Sequence, residues 1–285
     1  MAVSTKASTR PRTTILRRPL VMGILNVTPD SFSDGGLFLE AGAAAARAEQ
    51  MVSEGAALID IGGESTRPGA AKVPLDEELR RTIPVIRRLA KAVRVPLSID
   101  TAKAEVAERA LDAGASIVND VTALRGDPLM ASVIARHQAS VILMHMQGSP
   151  RTMQRAPRYR DVLGEIRRFL SRAIARAVEA GINRRRILID PGLGFGKTVT
   201  HNLILMRRLE RFVSLGVPVV IGASRKSFIG KTLAADTDDR LAGSLACAAM
   251  AWSSGIDMIR VHDVKPTVQL LTMLEAIRGA DASGR

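Results

Sequence analysis

Short, almost continuous runs of apolar residues recur along the chain, separated by segments with a different periodicity. Strands that are buried on both faces have this uninterrupted apolar character. The runs predict eight strands: LVMGILNV from Leu20, ALIDIGG from Ala57, PLSIDT from Pro96, SIVNDV from Ser116, SVILMHM from Ser140, ILIDPG from Ile187, PVVIGAS from Pro218 and MIRVHDV from Met258.

The intervening segments place apolar residues three and four positions apart, the spacing that lines one face of a helix. They predict helices over residues 40–53, 76–92, 103–113, 128–136, 161–180, 202–213, 239–253 and 266–277. Five glycines follow these helices, where a left-handed conformation ends a helix. They are Gly55, Gly114, Gly181, Gly216 and Gly255.

Eight alternations of strand and helix predict a single (β/α)8 TIM barrel, an α/β fold whose active site lies at the carboxyl ends of the strands. An open, doubly wound sheet is the alternative, but it does not explain why no insertion or linker interrupts the alternation. We therefore assign one domain to residues 18–278. The basic residues 1–17 are expected to form a disordered tail, with a transit peptide as the alternative, and residues 279–285 a C-terminal tail.

Composition narrows the classes of function. No apolar run approaches the ~18 residues of a membrane span. Cys247 is the only cysteine, so no intrachain disulfide forms, which fits a reducing compartment such as the cytoplasm. A net charge of +13 with only 3% aromatic residues favours an anionic small molecule over nucleic acid, because few side chains can stack on bases. An abundance of arginine unrelated to function is the plainer alternative.

Polar residues gather at the predicted carboxyl ends of the strands. They are Asn26, Asp60, Glu64, Asp100, Asn119, Asp120, His145, Asp190, the triplet Ser224-Arg225-Lys226, Arg260, His262 and Asp263. Any one of them alone is equally well explained as bonding a neighbouring strand end and fixing the rim of the barrel. Eight strands that all end in this way favour a binding site.

Three of these residues suit a flat heterocycle. Asp100, Asn119 and Asp190 have short side chains and no cation adjacent in sequence. A carboxylate accepts from a ring N–H beside an exocyclic amine, and an amide both donates and accepts. Binding of Mg²⁺ is the alternative use of such oxygens. The lack of H-x-x-H spacings argues against a transition metal.

A second group suits an anion. Arg260 and His262 lie two residues apart on the last strand and so point the same way. Arginine grips phosphate through two N–H groups, and the loop after the eighth strand of a barrel is a common phosphate site. With Asn26, at the end of the neighbouring first strand, they predict a phosphate or diphosphate site with a divalent ion. The alternative is that Arg260 pairs with a carboxylate of the rim.

Lys226 ends the seventh strand, and Ser227 follows it at the predicted start of a short helix. The lysine can bond a ring carbonyl or nitrogen and offset leaving-group charge, while amides at a helix start attract an anion. A Schiff-base lysine needs a dry apolar pocket, and the adjacent Arg225 and serines argue against one. The loops at 28–36 and 64–70 mix Gly, Pro, Ser and charge, as lids do.

The stretch DPGLGFGKT, residues 190–198, contains three glycines before a lysine and a threonine, but its spacing excludes both nucleotide-binding motifs. A Walker loop needs glycine where Pro191 stands, and the dinucleotide fingerprint needs glycine where Lys197 stands.

The motifs GILNVTPDSFSDGG, GGESTRPGA, SIDT, IVNDV, LMHMQGSP, LIDPGLGFGK, GASRKSFIG and RVHDV follow one another in this order. As an ordered set, covering about residues 20–277, they resemble the dihydropteroate synthase family of folate-pathway enzymes. The resemblance implies a transferase that condenses (7,8-dihydropterin-6-yl)methyl diphosphate with 4-aminobenzoate to give 7,8-dihydropteroate and diphosphate. A pterin-binding methyltransferase barrel and a non-catalytic pterin- or phosphate-binding protein are the alternatives. The two lid loops and SRKSFIG favour the synthase.

The resemblance also implies which residues bind each substrate. The pterin is expected at Asp100, Asn119, Met144, Asp190 and Lys226. The diphosphate is expected at Asn26, Arg260 and His262, with Asn26 holding Mg²⁺. The 4-aminobenzoate is expected at Thr66, Arg67, Pro68, Phe195 and Ser227, beside Lys226, and sulfonamides are expected to compete there. Lys197 and Thr198 are then bystanders that lead into the next helix.

The expected catalysis is electrostatic. Diphosphate leaves first, and Asp190 and Asp100 stabilise the cation that remains in the pterin ring, with Lys226 as the third catalytic residue. The resemblance further suggests a homodimer through the last helices, where Trp252 and residues 245–251 can pack closely. Burial of that face against the barrel is the alternative.

Overall fold

The computed structural model describes residues 18–27, 37–65 and 69–283, which contain eight strands and ten α-helices. The strands are β1 (Leu20–Asn26), β2 (Leu58–Gly62), β3 (Leu97–Asp100), β4 (Ile117–Asp120), β5 (Ser140–Met144), β6 (Ile187–Asp190), β7 (Val220–Ile221) and β8 (Met258–Val261). The helices are α1 (Leu37–Ser53), α2 (Leu75–Ala92), α3 (Ala104–Asp112), α4 (Met130–Arg136), α5 (Val162–Glu179), α6 (Val199–Arg207), α7 (Glu210–Val213), α8 (Ser227–Leu233), α9 (Leu241–Ser253) and α10 (Val264–Ser283).

The strands pair in parallel, in the order β6-β5-β4-β3-β2-β1-β8-β7. A parallel bridge between Ile189 and Val219 joins the two ends of this order. The Ile189 amide also donates to the carbonyl of Pro218 over 3.0 Å. The sheet is therefore a nearly closed barrel, which confirms the predicted (β/α)8 fold and excludes the open, doubly wound sheet.

Apolar residues fill two layers of the molecule. Outside the barrel, helices bury the face that their spacing predicts; in α5 it comprises Val162, Ile166, Leu170, Ala173, Ile174 and Ala177. Inside, Met22, Leu58, Ile142, Val220 and Met258 form a separate cluster contributed by five strands. Most of these residues lie near the amino ends of their strands. Apolar side chains therefore fill that end of the barrel, and the polar side chains lie at the carboxyl ends.

The ends of the elements follow the predicted signals, with two exceptions. The five glycines after helices all have positive φ angles, from 70° to 114°. The predicted helix over 202–213 is instead α6 and α7, because Arg208 leaves the helical conformation at φ −130° and ψ 34°. The predicted tail at 279–285 is helical as far as Ser283, since one glycine costs a helix only about 1 kcal/mol and Arg278 and Ala280 on either side favour the helix.

Within the described ranges, no helix combines the length and apolar character needed to cross a bilayer. The predicted N-terminal tail and the loop at 28–36 lie outside the described residues.

Candidate active site

The register of the barrel brings the polar strand ends to one mouth. Asp100 on β3 is the partner of Gly62 on β2 and of Asn119 on β4, and Asn26 on β1 is the other partner of Gly62. A Cβ placed on Gly62 would lie 3.6 Å from Cβ of Asp100 and 4.0 Å from Oδ1 of Asn26. Four neighbouring strands therefore turn these side chains towards a common space.

A buried network of charged and polar side chains crosses the inside of the barrel beside that space. Arg260 on β8 donates from Nε to Oδ2 of Asp60 over 2.6 Å and from Nη2 to Oδ2 of Asp100 over 2.8 Å. Nδ2 of Asn119 donates to the same oxygen of Asp60 over 3.0 Å. Pairing of Arg260 with rim carboxylates, the alternative that the sequence leaves open, is what the structure contains. Sequence reasoning noted Asp60 only as a strand end and missed that it joins two other site residues.

The network leaves carboxylate oxygens that can still accept a hydrogen bond. Within the described residues, Oδ1 of Asp60 and Oδ1 of Asp100 are buried and have no hydrogen-bond partner. A buried polar atom without a partner is costly, so such atoms mark places where a ligand or water donates.

Burial also shifts the pKa values of the site. It raises the pKa of Asp100 to about 7, against the attraction of Arg260. It raises the pKa of Asp190, against the attraction of Lys226. It lowers the pKa of Lys226 to about 8, against the attraction of Asp190. Opposed carboxyl and amino groups with shifted pKa values in one cleft are typical of a functional site.

Lys226 and Phe195 form one wall of the mouth. Nζ of Lys226 donates to the carbonyl of Leu193 and lies 4.5 Å from the centroid of the Phe195 ring, a cation–π arrangement. The ring packs against a buried cluster that contains Met144. Ser227 is the first residue of α8 and is exposed beside Lys226. A planar ring can lie along this wall with a polar group near the serine.

The loop after β6 folds onto the backbone that follows β5. Gly192 has φ 69°, and a Cβ there would overlap the carbonyl oxygen of His145. Gly196 has φ 64°, and its Cβ would lie 2.6 Å from the carbonyl oxygen of Gln147. Only glycine combines this conformation with this close approach. The Gly192 amide in turn donates to Oδ1 of Asp190 over 2.6 Å, which fixes that carboxylate.

The loops after β7 and β8 are tied to each other. Arg225 donates to both carboxylate oxygens of Asp263, over 2.9 and 2.6 Å. Arg225 itself has a left-handed backbone, with φ 57°. Nδ1 of His262 lies 3.1 Å from Oγ of Ser224. These bonds hold Lys226, which follows Arg225, in a fixed relation to His262.

Residues 22–262 match the family model described as pterin binding enzyme. The chain is 48% identical over 270 residues to the dihydropteroate synthase of Escherichia coli (strain K12), an alignment that covers 95% of each chain. This chain belongs to the dihydropteroate synthase family.

Solved structures agree with this assignment to the dihydropteroate synthase family. The Xanthomonas albilineans dihydropteroate synthase with 4-aminobenzoic acid superposes with a TM-score of 0.87 and is 50% identical, covering 92% of this chain and 94% of that chain. The same enzyme in complex with 7,8-dihydropteroate has a TM-score of 0.84 and 47% identity, covering 92% of this chain and 95% of that chain. The family resemblance predicted from the motifs is confirmed, in preference to a methyltransferase barrel.

Three strand-end residues of this synthase-family chain bond the rim instead of joining the ligand cluster. Both carboxylate oxygens of Asp120 accept from the following turn, including the Leu124 amide over 2.7 Å. Glu64 pairs with Lys103, which also meets the buried Glu78. His145 is buried, burial lowers its pKa to about 2, and its Nδ1 lies 3.0 Å from Nζ of Lys197. The alternative that polar strand ends fix the rim is correct for these three.

Lys197 and Thr198, expected from the dihydropteroate synthase resemblance to be bystanders that lead into the next helix, both bond groups of the protein itself. Nζ of Lys197 donates to the carbonyls of Gly192 and Phe195 over 2.8 and 3.0 Å and lies 3.0 Å from Nδ1 of His145. Thr198 caps α6 through its side chain. Because a lysine is usually exposed to solvent, the sequence alone does not predict that Lys197 is buried. The sequence held no signal for this burial, because the partners are mainly backbone carbonyls.

Some residues expected from the dihydropteroate synthase resemblance have no described position. Thr66, Arg67 and Pro68 lie outside the described residues. In the part of the chain that is described, no three His, Cys, Asp or Glu side chains gather as a metal site.

Proposed function

We propose that this site condenses (7,8-dihydropterin-6-yl)methyl diphosphate with 4-aminobenzoate to give 7,8-dihydropteroate and diphosphate. The observation that carries the proposal is the convergence of Asp100, Asn119 and Asp190 with Lys226 at one barrel mouth, in a chain of the dihydropteroate synthase family. The unpartnered buried oxygen of Asp100 and the shifted pKa values of Asp100, Asp190 and Lys226 support a catalytic site.

The pterin edge is proposed to meet the buried acceptors. Asp190 and Asp100 accept from the ring N–H and the exocyclic amine, and Asn119 both donates and accepts. The unpartnered Oδ1 of Asp100 supports this role. Lys226 donates to a ring carbonyl or nitrogen, and Met144, which is buried beside Asp190 in the register of β5 and β6, packs against the ring.

The diphosphate is proposed to bind at Arg260, His262 and Asn26. Arg260 has Nη1 for the anion, the nitrogen to which neither Asp60 nor Asp100 is bonded. Mg²⁺ commonly takes one or two protein oxygens, with phosphate oxygens and waters completing its shell. A single amide oxygen, Oδ1 of Asn26, fits an ion that arrives with the diphosphate. When bound, the ion offsets part of the leaving group's charge.

The 4-aminobenzoate is proposed to lie along Phe195 and the aliphatic part of Lys226. Its carboxylate then reaches the Ser227 hydroxyl, and Thr66, Arg67 and Pro68 complete the subsite. The wall that Phe195 and Lys226 form over 4.5 Å supports this placement. Sulfonamides are proposed to compete at the same place.

In the proposed reaction, the carbon–oxygen bond to the diphosphate breaks first, and its electron pair leaves with the diphosphate. The methylene cation is delocalised into the pterin, where the carboxylates of Asp190 and Asp100 stabilise it. The amino nitrogen of 4-aminobenzoate then attacks the methylene carbon and loses a proton to solvent. The charges of Arg260, Asp100 and Asp190 are in place before the reaction, so little reorganisation is needed.

Product formation tests the proposed function. Purified protein should convert the pterin diphosphate, 4-aminobenzoate and MgCl2 into 7,8-dihydropteroate, detected by chromatography against the authentic compound. An absence of product, together with methyl transfer from methyltetrahydrofolate to a corrinoid, would instead support the methyltransferase reading.

We further propose a homodimer through α9 and α10. One face of α9 packs on the body of the protein through Ala248, Ala251 and the partly buried Cys247 and Trp252. Its exposed Leu241 and Met250 support a second contact, with another copy of the chain. Met273 and Ile277 on α10 are 60% and 58% exposed. Sedimentation velocity at micromolar concentration should give twice the mass of one chain, and a single-chain mass would contradict the proposal.

A further inference from the structure

Lys197 is a buried lysine whose amino group bonds a histidine ring and backbone carbonyls. It is 3% exposed. Its Nζ reaches the Gly192 carbonyl at 2.8 Å, the Phe195 carbonyl at 3.0 Å and Nδ1 of His145 at 3.0 Å. The proposed chemistry uses none of these bonds.

The arrangement satisfies Lys197 in either protonation state. An ammonium group has three N–H donors, which match the three acceptors. A neutral amine donates to the carbonyls of Gly192 and Phe195 and accepts from Nδ1–H of His145. Burial holds the pKa of Lys197 well below its ordinary value, although Asp190 opposes the shift. The bonds that organise the loop therefore do not depend on the charge.

The two carbonyls belong to residues that lead directly to the substrate positions. The amide of Gly192 fixes Asp190, and the ring of Phe195 faces Nζ of Lys226. The Phe195 amide donates to the carbonyl of Gly192 over 3.1 Å and closes a tight turn. Both carbonyls of this turn point to Lys197, so one amino group sets the turn's orientation.

We propose that Lys197 is a positioning residue for the 4-aminobenzoate subsite: by holding the carbonyls of Gly192 and Phe195, it orients the Phe195 ring against Lys226. This inference rests on the proposed function of the site. Asp190 depends less on Lys197, because it is anchored in β6. The aminobenzoate should therefore be affected more than the pterin.

A purely structural lysine gives a different result. Loss of stability alone lowers the fraction of folded enzyme, which reduces the apparent kcat and leaves each KM unchanged. Loss of positioning raises the KM of the substrate that the misplaced group binds. The two roles are therefore separated by measuring KM for each substrate.

The experiment compares Lys197→Met, which keeps the length of the side chain and removes its donors, with Leu89→Ala. Leu89 is fully buried near the end of α2, away from the mouth, so its variant loses stability without touching the site. We expect Lys197→Met to raise KM for 4-aminobenzoate about tenfold or more and KM for the pterin diphosphate less than about threefold. Leu89→Ala should change neither KM. Equal KM values in both variants, or equal rises for both substrates, would overturn the proposal.

Two further measurements test the proposal even if the Lys197→Met variant folds poorly. His145→Gln keeps an acceptor for Nζ, whereas His145→Leu removes it, so the glutamine variant should have the lower KM for 4-aminobenzoate. Equal values contradict the inference. Hydrogen exchange of the Phe195 amide is independent of activity and should accelerate in Lys197→Met but not in Leu89→Ala. Unchanged exchange refutes positioning by Lys197, whereas wild-type protein that forms no product refutes only the proposed reaction.

Discussion

Arg260 donates from Nη2 to Oδ2 of Asp100 over 2.8 Å, across the inside of the barrel from β8 to β3. This bond joins the group proposed to hold the diphosphate to a group proposed to hold the pterin. Asp60 takes a second bond from the same guanidinium, so two carboxylates share one cation. Burial, with a smaller contribution from the neighbouring Asp60 carboxylate, raises the pKa of Asp100 against the attraction of Arg260. A cation that develops on a bound pterin would add positive charge beside these two carboxylates.

Arg260→Met should destabilise the protein strongly, because it leaves the fully buried Asp60 without its cation. Removing one partner of a buried ion pair costs about 3–5 kcal/mol. Arg136→Met is the matched control, since Arg136 pairs with Glu108 over 2.6 Å at the surface. That pair should be worth less than about 1 kcal/mol. Urea unfolding gives both values, and equal losses would contradict a buried network around Arg260.

The activity should depend on pH in a bell shape. Binding of the pterin requires ionised Asp100, with a pKa of about 7, and protonated Lys226, with a pKa of about 8. Below pH 7 the carboxylate takes up a proton, and above pH 8 the ammonium loses one, so kcat/KM should fall on both sides. Asp100→Asn should lose the acid limb. If the fall of kcat/KM at low pH persists in this variant, a group other than Asp100 causes it and the prediction is wrong.

The same raised pKa affects stability. Between its unfolded value of 3.8 and about 7, Asp100 binds more protons in the folded state than in the unfolded state. Its contribution to stability therefore decreases as the pH rises through this range. Asp100→Asn should remove that part of the dependence in urea titrations at pH 5 and pH 7.

Release of diphosphate should not require 4-aminobenzoate if the pterin cation forms first. Protein mixed with the pterin diphosphate and MgCl2 should slowly release diphosphate, as water captures the cation. A coupled assay for diphosphate measures the rate. Strict dependence on 4-aminobenzoate would indicate concerted displacement, with Asp190 and Asp100 acting only in binding.

Gly192→Ala should be far more damaging than Gly69→Ala. Both glycines have positive φ, at 69° and 83°, but a Cβ on Gly69 meets no atom of the described residues within 4 Å. Gly69→Ala should therefore cost only the backbone strain, about 1–2 kcal/mol. At Gly192 the overlap with the His145 carbonyl adds to it. Urea unfolding compares the two, and equal costs would mean that the loop does not need this close approach.

Much of the fold was available from the sequence, because strands buried on both faces leave uninterrupted apolar runs and glycines end the helices. Barrel topology then placed Asp100, Asn119 and Asp190 at one mouth without knowledge of any side-chain contact. The pairing of Arg260 with Asp60 was out of reach, since it depends on side-chain directions across 200 residues of separation. The burial of Lys197 could not be predicted either, because its partners are mainly backbone carbonyls, whose positions the sequence does not show.

The most direct test of the central claim is kcat/KM for dihydropteroate formation by wild type and Asp190→Asn, with the exposed Asp112→Asn as control. The wild type and the control should turn over alike. Asp190→Asn should lose at least ~2 kcal/mol of transition-state stabilisation, about thirtyfold in kcat/KM. Equal rates in all three proteins, or no dihydropteroate from the wild type, would contradict the account.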